Sequence, residues 1–117
     1  MAAAVGVALL LLLPVRGFCA GGDPVATPVD NLYAALLETM KQAKQLGVKG
    51  RYDKLSPILR KAYDLPLMAR IAVGKHWDAM SAGERESVVA AFTRMTTATY
   101  ASRFDGFSGE KFEVLQT

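Results

Sequence analysis

Between Val29 and Arg103 apolar residues return at steps of three and four, and Gly47, Gly50, Pro57, Pro66 and Gly74 cut that rhythm into pieces. The period is that of one face of an α-helix, and the cuts favour several short helices over one long rod. The first helix is expected to follow Thr27, which can cap it, with Pro28 at its first position and Asp30 opposing its positive end. Its inward face reads Val29, Leu32, Tyr33, Leu36, Leu37, Met40 and Ala43, and Gly47 is its natural stop. Gly50 predicts a turn. A second helix is expected over Tyr52 to Ala62, with a start or kink at Ser56-Pro57 and with Leu55, Ile58, Leu59 and Ala62 inward. A third runs from Pro66 to Val73, and Leu65, Met68, Ala69, Ala72 and Val73 form its inner side.

Gly74 ends that helix, and Lys75 to Met80 reads as one further turn. Ser81 and Glu84 have the spacing of a capping box, in which hydroxyl and carboxylate each accept a backbone N–H of the other residue. They open the longest helix, Ala82 to Arg103, with a stripe of Val88, Val89, Phe92, Met95, Thr96, Thr99 and Tyr100. Beyond it the period changes. A turn at Asp105-Gly106 or Ser108-Gly109 leads into alternation through Phe112, Val114 and Leu115, which suggests the start of a strand. A lone strand leaves its backbone groups unpaired, so the expectation is that residues 29–117 are the N-terminal, mainly helical part of a domain whose sheet follows.

The opening residues, "MAAAVGVALLLLLPVRGFCA", carry an apolar run from Ala2 to Leu13 broken by Pro14. It is shorter than the roughly 20 residues a membrane-spanning helix needs and fits the apolar core of an export signal, although no basic residue precedes it. Residues 1–20 are therefore read as a signal cleaved near Ala20, and residues 21–28, rich in Gly and Pro, as a linker. Cleavage would remove Cys19, the single cysteine, and with it any disulfide or thiol nucleophile. The formal charge of +3 falls by one with Arg16, too little for the basic field of a nucleic-acid binder. Lys41, Lys44, Lys49, Arg51 and Lys54 form a basic stretch that reads either as a solvated helix face or as a contact for an anionic membrane or acidic partner.

Reactive constellations are scarce. His76 is the single histidine, with Asp78 two residues away and Glu84 eight, neither at a helical spacing of three or four, so no metal site is assigned. Ser81 is explained as a cap, Ser56 by the proline after it and Ser108 by a turn, and none lies in a G-x-S-x-G elbow. No phosphate-cradling glycine loop is present in "GGD" or "GVKG". No catalytic residue and no cofactor is assigned. What stands out is apolar surface of an adaptable kind: Met40, Met68, Met80 and Met95 with Trp77, Phe92, Tyr100, Phe104 and Phe107. An ordinary core and a pocket for an apolar ligand both fit that inventory.

One further pattern is Tyr63-Asp64, then Met68-Ala69, then Gly74-Lys75-His76-Trp77, Ser81 opening a long helix with Phe92, and Thr99-Tyr100. In this order, behind an export signal, the sequence resembles the periplasmic phospholipid-carrier family typified by MlaC, the toluene-tolerance or ABC-transporter auxiliary proteins. The resemblance spans roughly Asp30 to Thr117, and the ending "SRFDGFSGEKFEVL" looks closest to the hopanoid-associated HpnM branch. It implies an α+β fold, with helices packed on a curved sheet around a lipid cavity. It also implies a non-enzymatic carrier of phospholipid, or of a hopanoid-type lipid, between inner- and outer-membrane Mla-type complexes.

Under that resemblance the expected cavity wall is Leu65, Met68, Ile71, Phe92, Met95, Thr99 and Tyr100, a long dry surface for acyl chains that gain about 0.8 kcal/mol per buried CH₂. Gly74, Trp77 and Ser81 are expected to build the corner between two helices, with the Trp77 ring buried and His76 toward solvent. The alternative function is an exported helical module that docks a membrane complex without holding lipid. Transient contact with a membrane surface fits either.

Overall fold

The computed structural model describes residues 24–115. The signal and cleavage assignments near Ala20, and Cys19 with them, lie outside the described residues. Four helices follow one another: α1 (Thr27–Lys41), α2 (Ala43–Ala62), α3 (Leu65–Val73) and α4 (Ala82–Arg103), with a 3-10 turn at Gly74–Ala79 between the last two. α2 packs between α1 and α4, and α3 lies against α4.

The core sits where α1 crosses α2. Leu32 and Leu36 meet Leu55 and Leu59, and Ile58, Ala62, Tyr63, Tyr100, Phe104 and Phe112 pack around them. These leucines recur four residues apart on each helix, which stacks them on one face.

Several boundaries differ from the sequence reading. Ala26, not Thr27, is the first helix's N-cap, and it offers no side-chain acceptor. α1 stops at Lys41, six residues before Gly47, because Gln42 leaves helical geometry while its N–H bonds back to Glu38 O and Met40 O. Gly47 instead kinks α2 from within, at φ 63° and ψ 177°, a conformation open to glycine and strained for other residues. Gly50 is not a turn but a helical residue of α2, where an added Cβ would lie 3.0 Å from the Leu46 Cβ. Pro57 opens no helix either: it sits inside α2, exposed. It contributes no N–H to the helical ladder there.

The corner between α3 and α4 follows the sequence closely. Gly74 takes φ 67° as the C-cap of α3. Ser81 Oγ accepts from Glu84 N at 3.2 Å while Glu84 Oε2 accepts from Ser81 N at 2.7 Å, so the capping box is complete. Asp64 adds a cap that the pattern had not flagged, its Oδ1 accepting from Leu67 N at 3.0 Å.

No strand forms among the described residues; the chain leaves α4 as an extended segment over 104–115. Phe112 seats on the helices, its ring 5.3 Å from Tyr33 and 6.1 Å from Phe104, and no described segment offers its backbone a ladder. The described part is thus helical, and the sheet of an α+β fold is not formed within it.

Candidate functional site

α4 is the element on which sequence and structure part most clearly. Its buried residues are Thr93, Thr97 and Ala101. At about 100° per residue these cluster on one side, whereas Val88, Phe92, Met95 and Thr99 cluster roughly a third of a turn or more away. Those four residues of the apolar stripe are therefore not on the line that α4 turns into the bundle, whereas Val89 and Tyr100 of the same stripe lie closer to it. Two threonines can occupy that inner line because each hydroxyl is satisfied within its own helix: Thr93 Oγ1 donates to Val89 O at 2.8 Å and Thr97 Oγ1 to Thr93 O at 2.9 Å. Their small size lets α4 approach its neighbours closely.

The expected wall residues divide accordingly. Leu65 is buried, and it lines a cleft of about 230 Å³ with Arg60, Tyr63, Pro66, Val89 and Thr93. Phe92 and Tyr100 are half-buried. Met95 is 59% exposed and shares a shallow depression with Ala98, Thr99, Ser102 and Arg103. Ile71 stands on the outer side of α3, away from Leu65 and Ala69, which face the bundle, and Met68, one turn from Leu65, stands partly exposed at the margin. The seven residues thus fall on two helices and at least two surfaces.

Tyr100 is the best anchored of them. Its hydroxyl lies 2.7 Å from that of Tyr63, and its ring stacks on Phe104 at 5.4 Å between centroids. Burial and then the hydrogen bond with Tyr63 push the Tyr100 phenol well above its ordinary value of about 10. The pair supplies a polar contact inside an otherwise aromatic seam, with neither hydroxyl left alone.

A groove that the sequence did not single out runs between α1 and α2. It measures about 390 Å³ and is lined by Leu32, Ala35, Ile58 and Ala62, with Asn31 and Lys61 among its polar residues. The signal was there in the spacing: Ala35 lies four positions after Asn31 and Ala62 four after Ile58, so each helix sets one small residue on its groove-lining side.

The corner residues hold position in a different way from that expected. Trp77 is half-buried, not sealed. Arg85 of α4 secures it: the guanidinium lies 5.4 Å from the ring centroid, Nε donates to Trp77 O at 3.0 Å and Nη2 to Asp78 O at 3.2 Å. His76 is exposed on the same turn.

The basic stretch is not one face. Arg51 is buried, donating from Nε to Ala101 O at 2.7 Å and from Nη1 to Ala43 O at 2.8 Å. Lys49 pairs with Asp53 at 2.8 Å, Lys54 donates to Gln42 at 3.1 Å, and Lys41 lies 5.4 Å from the Phe107 centroid. Four of the five charges thus end in four different settings, and Lys44 is exposed.

No helix among the described residues is long and apolar enough to cross a membrane. No group of three His, Cys, Asp or Glu side chains there is placed to hold a metal ion. Comparison with known proteins gives one family model, described as MlaC protein, that matches residues 30–117. No curated protein and no solved structure matches the chain.

Proposed function

The chain belongs to the MlaC protein family, and from that premise we propose that it is a periplasmic lipid-binding carrier that moves phospholipid between membranes and catalyses no reaction. The family match is the observation that carries this reading. The geometry supports it through α4, whose Met95 stands exposed and off the bundle's inner line.

On this reading Phe92, Met95, Thr99 and Tyr100 form the helical wall for acyl chains, and Leu65, buried against the inner side of α4, backs it from within the bundle. A curved sheet of the kind expected for an α+β fold closes the other side. The headgroup stays at the mouth, so one pocket accepts more than one headgroup. Ile71 leaves this wall, because it lies on the outer side of α3, and Met68 stands at the wall's margin. A hopanoid-type lipid as cargo, delivery to Mla-type complexes of the inner and outer membrane, and export with cleavage near Ala20 belong to the same proposal.

The test is native mass spectrometry of the protein purified from periplasm without detergent. A mass above the mature chain by one lipid, lost on activation, is the expected result. Lipid-free protein would overturn the carrier and favour a helical module that docks a membrane complex. Two substitutions locate the lipid: Phe92→Asp is expected to abolish retention, and Ala35→Leu, which narrows the α1–α2 groove, to leave it unchanged. The reverse pattern would move the acyl chains into the groove.

A further inference from the structure

The methionines of the described residues differ in what can reach them. Met40 is 7% exposed and Met80 half-buried, whereas Met68 is 37% and Met95 59% exposed. Met95 also stands near the middle of α4, at the centre of an uncharged face. At about 100° per residue, Val88, Ala91, Phe92, Ala98, Thr99 and Ser102 fall within about 60° of it, and no charged side chain lies in that arc between Glu84 and Arg103. The most accessible of these sulfurs is thus the one oxidisable group on that face.

A peroxide supplies what the oxidation needs. Its O–O bond breaks, one oxygen adds to a lone pair of the sulfur and the other leaves as water, so the sulfur loses two electrons and the peroxide gains them. The flexible apolar thioether becomes a polar sulfoxide, whose oxygen accepts hydrogen bonds. Donors for that oxygen are scarce. The Thr99 hydroxyl already donates to Met95 O at 2.8 Å. Ser102 and Arg103, which line the same depression, lie two turns further on, about 10–12 Å along the axis. Water is the donor that remains, and covering an unpaired acceptor with an acyl chain is costly.

We infer that Met95 is an oxidation-sensitive switch in the lipid wall: a peroxide converts its thioether to the sulfoxide ahead of Met40, Met68 and Met80, and the sulfoxide drives acyl chains off α4. This rests on the carrier reading and adds its regulation. It ties oxidation to occupancy, because hydrogen peroxide is little larger than water and enters an empty site, whereas bound acyl chains cover the sulfur. The fold tolerates the change, since Met95 lies off the inner line of Thr93, Thr97 and Ala101.

Graded hydrogen peroxide followed by peptide mass spectrometry tests the order. Met95 is expected to gain the mass of one oxygen atom first and Met40 last, and bound lipid is expected to slow Met95 more than Met68. After incubation with phosphatidylglycerol vesicles, the oxidised full chain should retain about tenfold less lipid by native mass spectrometry than the untreated chain. Within Met95→Leu, treated and untreated protein should retain equal amounts, while within Met68→Leu peroxide should still cause the loss. Met95→Gln, polar without any peroxide, should show a loss of the same size, with circular dichroism checking that it and the oxidised chain stay helical.

Met40, Met68 or Met80 oxidised ahead of Met95, a Met95→Leu chain as peroxide-sensitive as the parent, or full lipid retention by Met95→Gln would each overturn the switch. Retention that peroxide leaves intact overturns the switch alone. An untreated chain that holds no lipid overturns the carrier reading, and the switch falls with it.

Discussion

The two halves of the helical layer handle apolar residues in opposite ways. Where α1 meets α2, Leu32, Leu36, Leu55 and Leu59 are spent on each other, and Leu55 and Leu59 have no exposed surface left. Where α3 meets α4, the inner line holds one leucine, Leu65, among smaller residues, Ala69, Thr93, Thr97 and Ala101, while Met95, Leu67 and Ile71 face out. The first half is a core of leucines, covered by Tyr63, Tyr100, Phe104 and Phe112. The second trades bulk inside for close approach and keeps its large apolar side chains for surfaces beyond the bundle. Function in this chain should therefore be looked for on α3 and α4, and stability on α1 and α2.

The largest expected effect separates the halves directly. Leu55→Ala or Leu59→Ala should cost about 2–5 kcal/mol in chemical denaturation, because a buried leucine loses its transfer energy and leaves a cavity. Met95→Ala, 59% exposed, should shift stability by no more than about 0.5 kcal/mol. If the methionine costs as much as the leucines, α4 has a second covered face and the contrast fails.

Much of this was legible because local chemistry decided it. The 3-10 corner, the capping box at Ser81 and the extent of α4 rest on contacts within a few residues, and the sequence pattern specifies such contacts. The core leucines were legible for the same reason, through their four-residue spacing. What was not legible was set by neighbours far along the chain. Thr93 and Thr97 read as poor core residues until their hydroxyls are seen to bond their own helix, and nothing in the α4 stripe tells which side meets α2. Arg51 looked like one more surface cation, yet its partner, Ala101 O, is fifty positions away. The strand expected near Phe112 depends on a partner strand, and no local signal can supply one.

Arg51 joins the two halves, so its removal should weaken both. Ala101 O lies in the last turn of α4, where the helix offers it no donor, and the guanidinium supplies one. Arg51→Met should cost about 1–3 kcal/mol, the penalty of leaving the buried Ala101 carbonyl without a donor. Arg51→Lys should rescue little of it, since one ammonium cannot copy the fork that reaches Ala43 and Ala101 together. A lysine variant as stable as the parent would mean that the charge, and not the pair of bonds, matters.

Tyr100 stands at the boundary between the halves, and pH reads it. Its folded phenol ionises later than an unfolded tyrosine, so the native state holds the proton more tightly. The stabilisation is then fully present below about pH 10 and is lost as pH rises above it. Tyr100→Phe should cost about 1 kcal/mol at neutral pH, the net worth of one hydrogen bond. It should also flatten the decline in stability above pH 10, and an unchanged decline would assign it to other groups.

The smallest expected effect tests why threonine can line the inner face of α4. Thr97 Oγ1 donates to Thr93 O, a carbonyl already engaged by the helix ladder, so the hydroxyl hides its own polarity and adds little else. Thr97→Val keeps the shape and removes a group that had no other partner, and the melting curve should move by no more than about 0.5–1 kcal/mol in either direction. Thr97→Leu keeps the apolar character and adds bulk, and overpacking should cost about 1–3 kcal/mol. If valine is the damaging change and leucine the mild one, polarity rather than size selects this residue, and the close approach of α4 is not what leaves its large apolar side chains free.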